Sequence, residues 1–303
     1  MSTNRLSLLP LALLLTGALL LIGALLLTGA LLSTAVLATP VTLTHQGLQL
    51  NANIIEHSNK KQRFFVILHG TLAWHGMELP TAIATLLQEE EHGSLAFSLG
   101  YGISDRQGFY DCNQPMVSGH DDAQAEIDGW INYLRQQGYE NIVLVGHSRG
   151  GAQMASYALQ HPDKIKQTVL IGPMVWDKSR VSQRFKKQTG KMLDTVLQHF
   201  STQKPPQLLS HQQVLHCKDS QVSPRVFASY YSALPQKNSP TLLANIAVPT
   251  TVYLGSNDPL TVQVLKQKGL FDHNAKVKVN IIDGADHFFR DFYIDEIVSD
   301  MLE

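Results

Sequence analysis

The stretch Val143–Gln153, VLVGHSRGGAQ, constrains the fold more than any other part of the chain. The apolar run Asn141–Val145 reads as a buried strand, and the helix-patterned segment Arg149–Gln160 follows almost at once. Between them lies Gly146-His-Ser-Arg-Gly150. A chain that passes from strand to helix within so few residues must turn sharply, with backbone strain at the serine. Glycine at 146 and 150 removes β-carbons that would collide in that turn. Ser148 would then project its hydroxyl above the sheet at a helix N-terminus, where unbonded N–H groups and the helix dipole favour negative charge. The pentapeptide by itself fits a small residue in a tight turn equally well, so its setting has to decide.

The flanking sequence repeats the strand-then-helix rhythm. Thr39–Lys61 is a polar lead-in with a strand pair, VTLTH and LQLNANII. Arg63–His69 is a short apolar run ending at Gly70, Ser94–Leu99 another, and Gln167–Ile171, Thr250–Leu254 and Val277–Ile282 complete the series. Helical spacing appears in Met77–Glu91 and in Asp121–Gln137, where Ile127, Trp130, Ile131 and Leu134 share a face, with Asp121 or Asp122 to cap the start and Gly138 to end it. A last helix after His287 sets Ile294, Ile297, Val298 and Met301 on one side. Strands alternating with helices predict an α/β fold: a mostly parallel sheet covered on both faces. The segment from about 174 to 246 breaks the rhythm. It reads as a largely helical insertion above the strand ends, with Pro205–Pro206 inside it.

The N-terminus is a separate object. No Asp, Glu, Lys or Arg occurs from Leu6 through Ile55, and the run 6–38 is apolar on every side. As a straight helix it would measure about 50 Å, more than the ~30 Å of a hydrocarbon core and longer than an ordinary signal core. TGALL recurs at 16–20 and 28–32, which makes local repeat expansion a source of the extra length. Residues 1–38 are therefore either a cleaved signal, with Val36–Leu37–Ala38 as a processing site, or a membrane anchor. Arg5 favours a cytoplasmic N-terminus in both cases, which puts the body 39–303 outside the cytoplasm, released or tethered. There Cys112 and Cys217 can pair or stay free; sequence leaves both open. A net charge of -1 argues against a nucleic-acid partner. The 13 histidines form no HExxH or close Cys/His cluster, so no metal site is expected, and no phosphate-loop or dinucleotide motif implies a cofactor.

In an open parallel sheet, ligands bind at the carboxyl ends of the strands. His69-Gly70-Thr71, Ser148, Asp258 and His287 each follow such a run. The Arg149 N–H points where an oxyanion would form on Ser148, and a second N–H is expected from the loop after the first apolar strand, from Thr71 or Leu72.

With these residues in place the chain resembles the α/β-hydrolases. LHGT at 68–71, VGHSRGG at 145–151, GSNDP at 255–259 and GADHF at 284–288 carry the likeness, in the order Ser…Asp…His, over about residues 63–303. It also resembles uncharacterised bacterial hydrolase-like proteins with GHSRGG and a Tyr-Asp-Cys motif, here Tyr110–Cys112, whose role is open. The resemblance implies Ser148 as nucleophile, His287 as base and Asp258 as its orienter. The chemistry agrees: a serine hydroxyl attacks only when a base takes its proton, and a carboxylate holds that base in the right tautomer. Asp258 is preferred over Asp283 and Asp286 because it follows a strand and precedes a proline.

His69 is read as organising its loop and His147 as packing beside the elbow. The charged stretch holding Asp105, Arg106, Asp111, His120 and Asp121 reads a polar substrate or is held by ion pairs. The run Lys178, Arg180, Arg184, Lys186, Lys187, Lys191 is read as a solvated face, with attraction of an anion or lipid head group as the other reading. The expected activity is hydrolysis of a small carboxylic ester, with the insertion as a lid. Amidase, thioesterase or cofactor-free peroxidase chemistry can run on the same triad, and a non-catalytic envelope binding protein is the reading from a different class. Oligomeric state is left undetermined.

Overall fold

The computed structural model describes residues 38–203 and 207–303. An antiparallel pair, β1 (Thr39–His45) and β2 (Leu48–Ile55), opens the body, as the lead-in suggested. The remaining strands of the sheet are β3 (Phe64–Leu68), β4 (Gly93–Phe97), β5 (Ile142–His147), β6 (Gln167–Ile171), β9 (Thr250–Gly255) and β10 (Val277–Ile282). Their order is β1-β2-β4-β3-β5-β6-β9-β10. β2 meets β4 antiparallel, and from β4 to β10 every neighbouring pair is parallel.

Both faces are covered, and the strand sequences show why. Strand residues alternate between faces. In β3, Phe64, Val66 and Leu68 enter one core cluster, while Phe65 and Ile67 enter the other. The first cluster takes Ile127, Trp130, Ile131 and Leu134 from α2 (Ala123–Gln136) and Met154 and Tyr157 from α3 (Arg149–Gln160). The second takes Leu79, Ile83 and Leu87 from α1 (Glu78–Glu89) and Ile294, Ile297, Val298 and Met301 from α9 (Phe292–Leu302). Apolar runs buried on both sides are what a parallel sheet between helix layers requires.

The connection from β6 to β9 carries α4 (Lys178–Thr189), α5 (Leu193–Ser201), α6 (Pro224–Tyr231) and α7 (Ser239–Leu243). It also holds an antiparallel hairpin, β7 (Leu209–Val214) and β8 (Cys217–Val222), so the expectation of a largely helical insertion is corrected. LSHQQV and CKDSQV are polar with little alternation, which hid them. Pro205–Pro206 and residues 1–37 lie outside the described residues, and with them the signal or anchor reading. Among the described residues no helix is long and apolar enough to cross a membrane. Helix α8 (Pro259–Lys266) follows β9 directly.

Cys112 and Cys217 form a disulfide with α-carbons 5.4 Å apart, which ties the β7–β8 turn to the loop after β4. The proposed acidic cap of α2 is not made. Asp122 stands at the N-cap but accepts instead from Gly119 N–H at 2.7 Å and from both terminal nitrogens of Arg225 at 3.0 and 2.8 Å. Asp121 accepts from the Gln236 amide at 3.1 Å. A bidentate guanidinium outbids one helix N–H for the Asp122 carboxylate.

Candidate active site

β5 runs into α3 through Ser148, whose φ of 54° and ψ of -118° are strained for a residue with a β-carbon. The turn holds because its neighbours leave no alternative. A β-carbon on Gly146 would stand 2.6 Å from Gly150 O, and one on Gly150 would stand 2.3 Å from His69 O. The Ser148 N–H donates to Ile171 O at 3.0 Å, which ties the elbow to β6.

The three strand-end residues meet across the sheet. His287 Nε2 lies 3.0 Å from Ser148 Oγ, and His287 Nδ1 lies 2.7 Å from Asp258 Oδ2. The Asp258 Oδ1 atom accepts from Leu260 N–H at 2.8 Å and so caps α8. Burial alone would raise the Asp258 carboxyl. The hydrogen bonds from His287 and the Leu260 amide outweigh it and hold the pKa below the ordinary carboxylate value. Asp258 is therefore an ion poised against the ring, 3 % exposed. The two other acids considered are engaged elsewhere: Asp283 accepts from Ser256 Oγ at 3.1 Å, and Asp286 from Phe288 N–H at 2.8 Å.

The three candidate oxyanion donors divide two to one. Thr71 and Arg149 line the cavity with Ser148, and the hydrogen bonds of the described residues give neither backbone N–H an acceptor. Leu72 is buried at φ 54°, and its N–H donates to Tyr101 Oη at 3.3 Å. Leu72 is thus turned away from Ser148 and committed to the loop.

His69 organises that loop. Its Nδ1 bonds Gly70 O at 2.7 Å while its Nε2 accepts from Leu99 N–H at 3.2 Å. Burial, with Arg106 nearby, lowers its pKa to about 3, so it is neutral. His147 donates from Nε2 to His287 O at 2.9 Å, and burial together with the His287 ring lowers its pKa to about 4. It packs against the base and orients the backbone that carries it.

Among the described residues no ion pair holds the charged stretch after β4; hydrogen bonds to backbone and amide groups hold it instead. Arg106 is buried and donates to Leu99 O, Gly108 O and Ala73 O at 2.7, 2.5 and 2.8 Å, stapling three loop segments through backbone carbonyls. Asp105 accepts from Asn51 at 2.9 Å, and Asp111 closes a turn onto Asn113 N–H at 3.0 Å. Tyr110 is buried with its hydroxyl on Gln114 O at 3.0 Å. No pattern in DRQGFYDCN announced an arginine staple. Cys112, His216 and Cys217 come together as metal-type ligands would, but both sulfurs are spent in the disulfide.

Ser148 and His287 open into a cavity of about 530 Å³. Its far wall comes from the β6–β9 connection: Trp176, Arg180, Arg184, Phe185, His216 and Tyr231 among others. An activated hydroxyl under such a chamber, with backbone donors beside it, can attack a carbonyl and stabilise the charge that forms.

Comparison with known proteins agrees with this architecture. A family model described as serine aminopeptidase, S33, matches residues 58–289. A Mycoplasma genitalium protein named "Putative esterase/lipase 2" is 24 % identical over 246 residues, 75 % of this chain and 83 % of that one. The human (lyso)-N-acylphosphatidylethanolamine lipase is 31 % identical over 75 residues, 25 % of this chain and 20 % of that one. This chain spans between 16 % and 25 % of the length of the curated relatives it matches at 31–38 % identity. Among solved structures, Est1E from Butyrivibrio proteoclasticus superposes with a TM-score of 0.59 at 15 % identity, covering 87 % of this chain and 97 % of that one. The monoacylglycerol lipase of Paleococcus ferrophilus gives 0.57 at 18 %, covering 84 % and 97 %. The sheet order and helix layers are thus those of a known fold, and, with the family model spanning most of the body, the chain belongs to the serine aminopeptidase S33 family of α/β-hydrolases.

Proposed function

We propose that the protein is a carboxylic-ester hydrolase that works through an acyl-enzyme on Ser148. The observation that carries this is the relay Ser148 Oγ–His287–Asp258, at 3.0 and 2.7 Å, opening into a cavity of about 530 Å³. His287 Nε2 takes the hydroxyl proton as Oγ attacks the ester carbonyl. The N–H groups of Arg149 and Thr71 hold the oxyanion. The tetrahedral adduct collapses, the C–O bond to the alcohol breaks, and His287 passes its proton to the leaving oxygen. Water then attacks the acyl-serine with the same base, and carboxylic acid and free serine result. Asp258 touches no reacting atom; it fixes the Nδ1–H tautomer and stabilises the imidazolium. The chemistry calls on no cofactor. The esterase and lipase names of the relatives favour an ester over an amide.

The β6–β9 connection acts as the lid that shapes the acyl or alcohol pocket. The body works outside the cytoplasm, released or tethered through residues 6–38. The Cys112–Cys217 disulfide supports that location, since such bonds persist in oxidising compartments. Sequencing the mature N-terminus distinguishes release from tethering.

A fluorophosphonate probe tests the nucleophile. The folded protein is expected to be labelled and Ser148→Ala is not. Absence of labelling in the wild type refutes the assignment and leaves the binding-protein reading, while equal labelling of the variant refutes Ser148 as the nucleophile.

A further inference from the structure

We propose that the cavity selects esters bearing a second, anionic group, a carboxylate or a phosphate, held by the guanidinium groups of Arg149, Arg180 and Arg184. This rests on the ester-hydrolase reading and specifies its substrate class.

The first observation is a buried cation that forms no ion pair among the described residues. Arg149 follows the nucleophile, lines the cavity and is 8 % exposed. Its Nε donates to Thr71 Oγ1 at 3.1 Å and one terminal nitrogen donates to His120 Nδ1 at 3.3 Å; the Tyr230 ring lies 5.2 Å from its carbon. None of these is a carboxylate. His120 is itself neutral: burial and Arg149 push its pKa well below the usual histidine range, and its Nε2 faces Gln236 O at 3.3 Å as a donor. A guanidinium buried among neutral partners is costly unless a negative charge completes it.

The second observation is independent. Arg180 and Arg184, one helical turn apart on α4, stand exposed on the cavity wall, and among the described residues neither forms an ion pair. The rest of that basic run behaves differently: Lys178 pairs with Asp194 at 3.2 Å, and Lys186 and Lys187 are exposed away from the cavity lining. The face read as merely solvated is therefore divided, with its two arginines turned to the site. The two acids of the lining each have a partner other than these arginine side chains. Asp258 serves His287, and Asp177 caps α4 through Arg180 N–H at 2.7 Å. The lining thus carries three guanidinium groups against the carboxylates of Asp177 and Asp258, the latter already paired with His287. Arginine suits carboxylate and phosphate because its donors form a planar fork.

The charge can sit on the acyl side, as in a dicarboxylic half-ester, or on the alcohol side, as in an acylglycerol phosphate. Kinetics of the full chain in neutral detergent distinguish them. One pair of substrates is mono(4-nitrophenyl) glutarate against 4-nitrophenyl valerate; the other is 1-acylglycerol 3-phosphate against the matching monoacylglycerol. In one pair or both, kcat/KM is expected to favour the charged member, chiefly through KM. In Arg180→Gln/Arg184→Gln, both exposed positions, that advantage is expected to fall about tenfold or more, the worth of a charge-assisted contact. Lys187→Gln leaves it unchanged. Neutral members preferred in both pairs, or an advantage intact in the double variant, overturns this proposal while the hydrolase reading stands. No turnover of any ester, with no fluorophosphonate labelling, overturns both.

Discussion

The two walls of the cavity are built by different means. The Ser148 wall consists of strand ends: β5, β9 and β10 deliver Ser148, Asp258 and His287, and the sheet register sets their spacing. Its backbone is strained at Ser148 and packed so closely that Gly150 leaves no room for a methyl group. The opposite wall is a long excursion of short helices and a polar hairpin, held to the body by the Cys112–Cys217 bond. The hydrophobic core continues beneath both walls, reaching the connection through Phe185, Phe200, Phe227 and Leu243. The connection differs in carrying Arg180 and Arg184 at the surface. The difference teaches that chemistry and selectivity draw on different parts of the molecule: the bond-making groups come from strand ends, while two of the three ligand-reading guanidinium groups, Arg180 and Arg184, come from the connection, with Arg149 at the seam between them.

The largest effect expected from breaking this division is on the rigid wall. Asp258→Asn should lower kcat by about 10⁴-fold with the fold intact, since the amide permits the wrong histidine tautomer. Asp283→Asn and Asp286→Asn should stay near wild type. Steady-state turnover of a neutral ester checks this; loss in Asp286→Asn with retention in Asp258→Asn would show that the wrong acid has been chosen.

Removing the tether acts on the other wall. Cys112→Ser/Cys217→Ser should cost roughly 2–5 kcal/mol of stability, read as a lower Tm. Ser148 should still react with the fluorophosphonate below that Tm. If labelling disappears along with the disulfide, the two walls are not separable.

The smallest effect concerns pH. His69 and His75 are buried, and desolvation, with Arg106 nearby, lowers their pKa values to about 3 and about 4. The folded protein keeps these rings neutral while the unfolded chain takes up protons from about pH 6.5 downward. Stability is therefore fully present above about pH 6.5 and is lost as pH falls toward 4. Each ring contributes up to about 1.4 kcal/mol per pH unit in that window. Tm measured at pH 7 and pH 5 should drop, and replacing His75 with Gln should shrink the drop. A Tm that does not change across this range would place these rings in contact with water.

Much of the fold was legible because the central strands β3, β4, β5, β6 and β9 are short, apolar and buried on both faces, and because α2 and α9 carry clean apolar stripes. The elements then fall within a residue or two of their sequence patterns. The β7–β8 hairpin was not legible: its residues are polar, and its register is set by packing and by the disulfide. Asp122 misled for a related reason, since Arg225, distant in sequence, competes for its carboxylate. At the site, Ser148, His287 and Asp258 announced themselves by following strands. Arg149 was noticed for its backbone N–H, yet its side chain proves to be the more unusual feature.

By itself, the sequence determined the local geometry: a strand, a strained serine flanked by glycines, and a helix whose free N–H groups face that serine. Such features depend on sterics within a few residues. Only the tertiary structure decided which acid meets His287, whether Cys112 reaches Cys217, and that Arg149, Arg180 and Arg184 share one cavity. Those outcomes depend on sheet order and on a long connection folding back over the strand ends, where distances between residues bear no relation to their separation along the chain.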